Sequence, residues 1–441
     1  MDKYLELSNK YNIFIYDSYN IEDIGDKKRI TFNFIVPGLT EYHPYIEVDN
    51  FKLDSFTRYL AFHIGLIELI SYWKCTCSKN VIIKAGYIDE EQIAWFKKTY
   101  YYGLGELFYT NGINVKLEDF MNIRCEAKKE EIIYPEYKGT GNLIPIGGGK
   151  DSVVSLEILR GLENDTFIIN PKEITRRCSQ LGGCEQPIAV KRVLDKNMLE
   201  LNSKGFINGH TPFSACISFI TFLCAYTHNK KYIALSNENS SNESNIEGTK
   251  INHQYSKTYE YEKDFNDYAK KYFKIDIHYF SLLRPLSEYQ IAMLFSHYDE
   301  YHKTFKSCNV GSKKEPWEWC CNCPKCLFVY TILAPFLYKD KLINIFGEDL
   351  FAREDLLNTF IELCGYSKNK PFECVGTYSE VRYAVSRLIE ELDELPFLLQ
   401  YYKDHYKLED TTNRLESKWN DEHNVPKEFE ILVKEEINKY V

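Results

Sequence analysis

The 441-residue chain is 44% hydrophobic and 27% charged, and its 54 Lys and Arg against 64 Asp and Glu leave a formal charge of −10. A chain of that length has room for more than one core, and the acidic balance argues against broad attraction to nucleic acid or an anionic membrane, leaving a local basic pocket for a small anion. No apolar run reaches membrane-spanning length and the start MDKYLELSNK lacks the zones of a signal peptide, so the expected setting is cytoplasmic, and the 14 cysteines read as reduced thiols, metal ligands or catalytic groups.

Residues 1–135 alternate strand-like and helix-like pieces. RITFNFIV at 29–36 is β-rich, and SFTRYLAFHIGLIELISYWK at 55–74 has apolar residues at helical spacing. This stretch is expected to be an N-terminal α/β accessory domain, with no recognisable chemistry of its own. From 136 to 347 the alternation becomes regular. NLIPI (142–146), TFIIN (166–170), KYIALSN (231–237) and IDIHYFS (275–281) are short apolar runs separated by helix-like segments, the pattern of an α/β domain whose parallel sheet carries helices on both faces. Ligands collect at the carboxyl ends of such strands, where GGGKDS, Asn170-Pro171 and NENSSNESN fall. Residues 348–441 read as mostly helical, with Ser379 to Leu395 strongly amphipathic.

The loop after the first regular strand is Gly147, Gly148, Gly149, Lys150, Asp151, Ser152. A Walker A loop needs Ser or Thr after its lysine to ligate magnesium, and Asp151 stands there instead. A dinucleotide fingerprint needs a third glycine, and Ser152 occupies that place. GGGKDS resembles the pyrophosphatase (PP) loop of adenylating ATP enzymes, S-G-G-x-D-S, with Gly147 in place of the usual serine. Glycines let the backbone approach a pyrophosphate, N–H groups and a helix N-terminus face it, Ser152 adds a hydroxyl, Asp151 helps hold magnesium or caps the helix, and Lys150 compensates for the missing serine. A plain glycine turn with Asp151 as N-cap is the alternative; the position after a first strand favours ATP with Mg2+.

Five cysteines lie in SCNVGSKKEPWEWCCNCPKC. Cys320, Cys323 and Cys326 follow a C-x-x-C-x-x-C spacing that places three thiolates on one ion, and Cys308 supplies a fourth. Cys321 points out of that register. Four thiolates suit a closed, structural zinc site tied to the helix beginning near Leu327; an iron–sulfur cluster is the alternative.

Of the remaining polar groups, His210 in FINGHTPFSA sits before a helix opened by Pro212 and reads most simply as a cap. Arg284 in YFSLLRPLSE follows a strand, where it either grips an anion bidentately or makes an ion pair. In order, GGGKDS, NGHTPFSA, SNENS, INHQYSK with Glu262 after it, YFSLLRPLSE, SCN, WCCNCPKCLFV, LAPF, INIFG and KPFECVG run from about residue 140 to 377. Together they are similar to the UDP-N-acetylmuramoyl-L-alanyl-L-glutamate epimerases of peptidoglycan synthesis, the MurL family.

The resemblance implies an ATP- and magnesium-dependent inversion of the terminal L-glutamate of UDP-MurNAc-L-Ala-L-Glu through an acyl-adenylate, with an L-glutamate ligase acting upstream. Proton transfer at the α-carbon needs an acid and a base on opposite faces. His210, His253, Lys257 and Cys374 are the candidates within the matched motifs, with His253 and Cys374 the preferred pair. Asn237, Glu238, Asn252, Gln254, Glu262 and Arg284 are then contacts to substrate or magnesium, and Glu373 belongs to either group. The rivals are an adenylating enzyme of nucleobases or tRNA, which also joins a PP-loop to four cysteines, and a non-catalytic nucleotide sensor.

Overall fold

A computed structural model describes residues 3–246, 249, 251–314, 316–367 and 370–441. The described residues form eleven strands: β1 Ile13–Ile24, β2 Lys27–Val36, β3 Thr40–Tyr42, β4 Tyr45–Asp49, β5 Asn80–Ile83, β6 Asn122–Cys125, β7 Thr140–Pro145, β8 Asn164–Ile169, β9 Ile188–Val193, β10 Lys230–Leu235 and β11 His278–Ser281. They make one mixed sheet in the order β11-β10-β7-β8-β9-β4-β2-β1-β5-β6, with β3 on β2.

The four apolar runs expected as strands after residue 136 are β7, β8, β10 and β11. A fifth, β9, escaped notice because IAVKRV carries two cations, and its outer edge pairs antiparallel with β4 through Ile46 opposite Arg192. One sheet therefore runs without a break through the segments before and after residue 135. Neighbours among β7 to β11 are all parallel, and their order places β7 between β8 and β10. The chain winds outward from β7 first to one side and then to the other, so the carboxyl ends of β7 and β10 flank a topological switch point.

Both faces of these strands are covered. Leu143, Phe167, Ile233 and Tyr279 enter one core, while their successors Ile144, Ile168, Ala234 and Phe280 enter the other, as the two-residue period of a strand requires. The first core contains the helix Ser55–Trp73, which begins at a reciprocal Asp54–Thr57 cap and is buried almost all round because it packs against the helix Phe213–Thr227. The second core contains the helices Pro324–Leu333 and Tyr378–Glu391, whose Val381, Ala384, Val385 and Leu388 are buried. The C-terminal helices thus complete the second face of the sheet. Among the described residues no helix is long and apolar enough to cross a membrane.

Candidate active site

β7 ends at Pro145, and the glycine loop occupies the switch point. Gly148 has φ +85°, and its carbonyl accepts the Lys306 N–H at 2.7 Å. A Cβ there would meet Thr175 Cγ2 at 3.3 Å as well as being strained. Gly149 is extended and the helix Lys150–Ile158 starts immediately after it. Gly147, Gly149, Asp151 and Ser152 line a cavity of about 370 Å3 that also carries Asn237 from the end of β10, Lys257, Lys325 and Cys374. The Ser152 hydroxyl donates to the Gly149 carbonyl at 2.9 Å.

Lys150 does not face this cavity. Its ammonium is buried and ion-paired to Asp151 and Glu288. Glu288 opens the helix Glu288–Ser296, where the Ser287 hydroxyl accepts the Gln290 N–H, and its own N–H donates to Glu380 at 2.7 Å. One oxygen each of Asp151, Glu238 and Glu288 lies within 4.8 Å of the others. Burial pushes Glu288 up to about 8; Lys150 pulls against this, and the Asp151 and Glu238 charges add to it. For Asp151 burial is outweighed by Lys150 and Lys325, which lower it. Three carboxyl groups converge in a desolvated place beside Lys150, and a divalent cation bound there would take the place of the proton that burial keeps on Glu288. Sequence reading overlooked Glu288, although it ends the YFSLLRPLSE motif, because a glutamate in a first helical turn has an ordinary reading.

His210, His253, Lys257 and Cys374 come together, with Lys257 and Cys374 reaching the cavity. The Lys257 ammonium donates to Cys374 Sγ at 3.2 Å, and the Lys325 ammonium donates to the Cys374 carbonyl. Burial alone would raise the thiol; Lys257, a hydrogen bond from His253 and the Lys325 charge reverse this and bring Cys374 down to about 6. His253 is opposed by burial in the same way, yet Cys374 and Glu106 raise it to about 9. Its Nδ1–H donates to the Glu106 carboxylate. The His210 ring lies 4.1 Å from that of His253, and burial followed by the His253 and Lys257 charges lowers it to about 3, so it is neutral. Glu106 was also missed, because it lies in the segment where no chemistry was recognised.

The remaining expected contacts divide. Asn237 reaches the cavity and donates to Ser281 Oγ at 3.0 Å, and Glu238 accepts from Ser240 at 3.0 Å. The expectation that Arg284 and Glu262 touch substrate is corrected. Arg284 is wholly buried, with Nη1 donating to the Glu238 carbonyl at 2.7 Å and to Ser241 Oγ at 2.6 Å, and Nη2 donating to the Lys257 carbonyl and to Glu262 at 3.3 Å. This arginine pins the 238–241 and 257 segments together; both terminal nitrogens are engaged by carbonyls, serine hydroxyls and Glu262. Glu262 accepts from Arg284 and from Asn424 at 3.1 Å. Asn252 likewise braces its loop, donating to the Ser241 carbonyl at 2.8 Å and accepting the Gln254 N–H at 2.7 Å, while Gln254 is itself buried. Glu373 accepts from Asn309 at 2.8 Å, and burial raises it.

Cys308, Cys320, Cys323 and Cys326 converge, with Sγ separations of 3.8 Å for 308–323, 3.8 Å for 320–326 and 3.5 Å for 323–326. Four thiolates about 2.3 Å from a tetrahedral ion stand about 3.8 Å apart. Cys321 is turned away at φ +56° with its thiol donating to the Phe346 carbonyl at 3.1 Å. Gly311 donates to Cys308 Sγ at 3.1 Å, and a Cβ on it would lie 1.7 Å from the Glu318 carbonyl oxygen. Lys325, between two of these cysteines, ties the cluster to Cys374.

A thiol held ionised beside a protonated histidine costs more desolvation than a neutral pair would, and structural packing has no use for it. The centre is that of an α/β enzyme. Residues 6–282 match the MurL N-terminal domain and residues 304–414 the MurL C-terminal domain, and the chain belongs to the MurL family. A protein named UDP-N-acetyl-alpha-D-muramoyl-L-alanyl-L-glutamate epimerase from Xanthomonas oryzae pv. oryzae is 37% identical over 333 residues, 74% of this chain and 73% of its own. Proteins of the same name from a Micromonospora species and from Salinispora tropica are 33% and 34% identical, covering 88% and 74% of this chain and 89% and 72% of theirs. No solved structure matches the chain.

Proposed function

We propose that the chain inverts the terminal L-glutamate of UDP-MurNAc-L-Ala-L-Glu to D-glutamate, with ATP as co-substrate and release of AMP and pyrophosphate. The reading is carried by one cavity lined by Gly147, Gly149, Asp151 and Ser152 of the loop and by Cys374, so a group activated at the loop has its neighbouring carbon beside the thiol. Removing an α-proton next to a free carboxylate would add negative charge to negative charge. Adenylation expels pyrophosphate and removes the first charge, the carbanion then resembles an ester enolate, and after reprotonation water cleaves the acyl-adenylate to give AMP and the inverted carboxylate.

The glycine loop and helix N-terminus receive the phosphates, and Asp151, Glu238 and Glu288 would hold a magnesium ion, which offsets phosphate charge when bound. Cys374 as thiolate is the base and His253 as imidazolium the acid, with Lys257 keeping the sulfur ionised. The α-carbon enters between sulfur and imidazole, so their hydrogen bond opens on binding. Cys308, Cys320, Cys323 and Cys326 would hold a structural zinc. An L-glutamate ligase must supply the substrate, since it ends in that residue.

The test is incubation with ATP, magnesium and UDP-MurNAc-L-Ala-L-Glu in deuterated water. AMP and deuterium at the glutamate α-carbon are expected together. The reading is abandoned if neither appears and the L-Ala-D-Glu compound is equally inert.

A further inference from the structure

The Cys374–His253 pair is completed by a residue from far outside the segment that holds it. Glu106 belongs to the six-residue helix Gly105–Thr110. Leu104, with no side-chain cap, precedes that helix, which is seated tightly: a Cβ on Gly209 would meet Leu107 at 3.2 Å and one on Gly105 would meet Ile251 at 3.5 Å. Those two contacts adjoin His210 and the Asn252–His253 step. The Glu106 carboxylate is half-buried, and among the described residues its side chain pairs with no Lys or Arg; its ionic partners are His253 and, at 4.0 Å, His210.

We infer that Glu106 is the positioning residue of the proton-transfer pair, fixing the His253 ring through Nδ1 so that Nε2 is aimed at Cys374 and at the α-carbon beside it. This rests on the proposed epimerisation. A carboxylate on one imidazole nitrogen selects the tautomer, locks the ring plane and stabilises the imidazolium. The side chains around the ring come from every packed element: Glu106 from its helix, His210 from the loop before Phe213–Thr227, Lys257 from the single turn Tyr255–Lys257, Cys374 and Glu373 from the 370–376 segment, and Lys325 from the helix Pro324–Leu333. Glu106 and Glu373 are the carboxylates of that set, and only Glu106 is bonded to the ring. The N-terminal segment therefore supplies a working part of the site.

The experiment compares Glu106→Gln, Glu106→Asp and the unchanged protein. His253 titration is read by NMR of labelled histidine, assigned with His253→Asn, in the absence of any substrate. In Glu106→Gln the His253 pKa is expected to fall by at least about one unit, and Glu106→Asp to restore most of it. With ATP and the UDP-muramoyl dipeptide, α-deuteration in Glu106→Gln should drop at least about tenfold, while AMP release stays within about threefold. An unshifted His253 overturns the inference, as does equal loss of AMP release and deuteration in a folded variant. So does stoichiometric metal bound in the purified protein and lost in Glu106→Gln, since Glu106, His210 and His253 would then be ligands. If the unchanged protein shows neither AMP nor deuteration, the epimerase reading fails while the NMR titration still tests the carboxylate–imidazole bond.

Discussion

Replacing Lys257 by Met keeps the side-chain stem and removes the ammonium 3.2 Å from Cys374 Sγ. At an effective dielectric of about 20, a unit charge at that distance stabilises the thiolate by about 5 kcal/mol, equivalent to about four pH units at 1.36 kcal/mol each. His253 and Lys325 remain, so the full amount is an upper bound. The thiol should move from about 6 to its ordinary value of 9 or above, because burial is then the strongest remaining influence. The assay is iodoacetamide alkylation between pH 5 and 10, quantified by mass spectrometry of the peptide that contains Cys374. A rate at one pH would understate the change, since thiolate nucleophilicity itself grows with basicity, with a slope of about 0.4–0.5; the inflection of the profile is the observable. An inflection that stays within about one unit of its original position would refute the claim that Lys257 keeps this sulfur ionised.

With Cys374 as base and His253 as acid, the proposed reaction requires thiolate and imidazolium together. Deuterium incorporation should therefore rise with pH through about 6, where Cys374 loses its proton, and fall through about 9, where His253 loses its own; the two limbs belong to the pair, and a profile still rising at pH 10 would exclude His253 as the acid. Cys308→Ser should take elemental zinc from about one ion per chain to near none and lower the unfolding temperature, and a metal-free unchanged protein of full stability would dismiss the zinc site. Arg284→Met leaves the buried Glu262 carboxylate facing no cation and should cost about 3–5 kcal/mol in urea unfolding, with Arg284→Met/Glu262→Gln less affected. A loss under about 1 kcal/mol for the single change would contradict the role of a brace.

Much of the fold could be read along the chain because it is written in local periods. The strands at 140–145, 164–169, 230–235 and 278–281 carry apolar residues that one face or the other must bury, and the helix at 55–73 has its apolar repeat. β9 could not be read so, because Arg192 and Lys191 face partners that the sequence does not name: Arg192 pairs with Glu68 at 2.6 Å and Lys191 with Glu47 at 3.4 Å. Finding β9 on β4 is what joined the two halves into one sheet.

By itself the sequence determined the glycine loop and the C-x-x-C-x-x-C register, since each is a short pattern whose chemistry depends on residue type and spacing, whereas His210, His253, Lys257 and Cys374 were marked out only by the resemblance to the MurL family. Tertiary structure alone decided what those groups are doing. Lys150 faces Glu288 138 residues away, Cys374 meets Lys257 across 117 residues and His253 meets Glu106 across 147. An ionisable group's state follows from the charges beside it and the water removed around it, and both are set only when distant segments pack. The same packing buried the Arg284 fork against carbonyls, turning an expected ligand contact into a brace, and brought Glu106 from the N-terminal segment to the histidine.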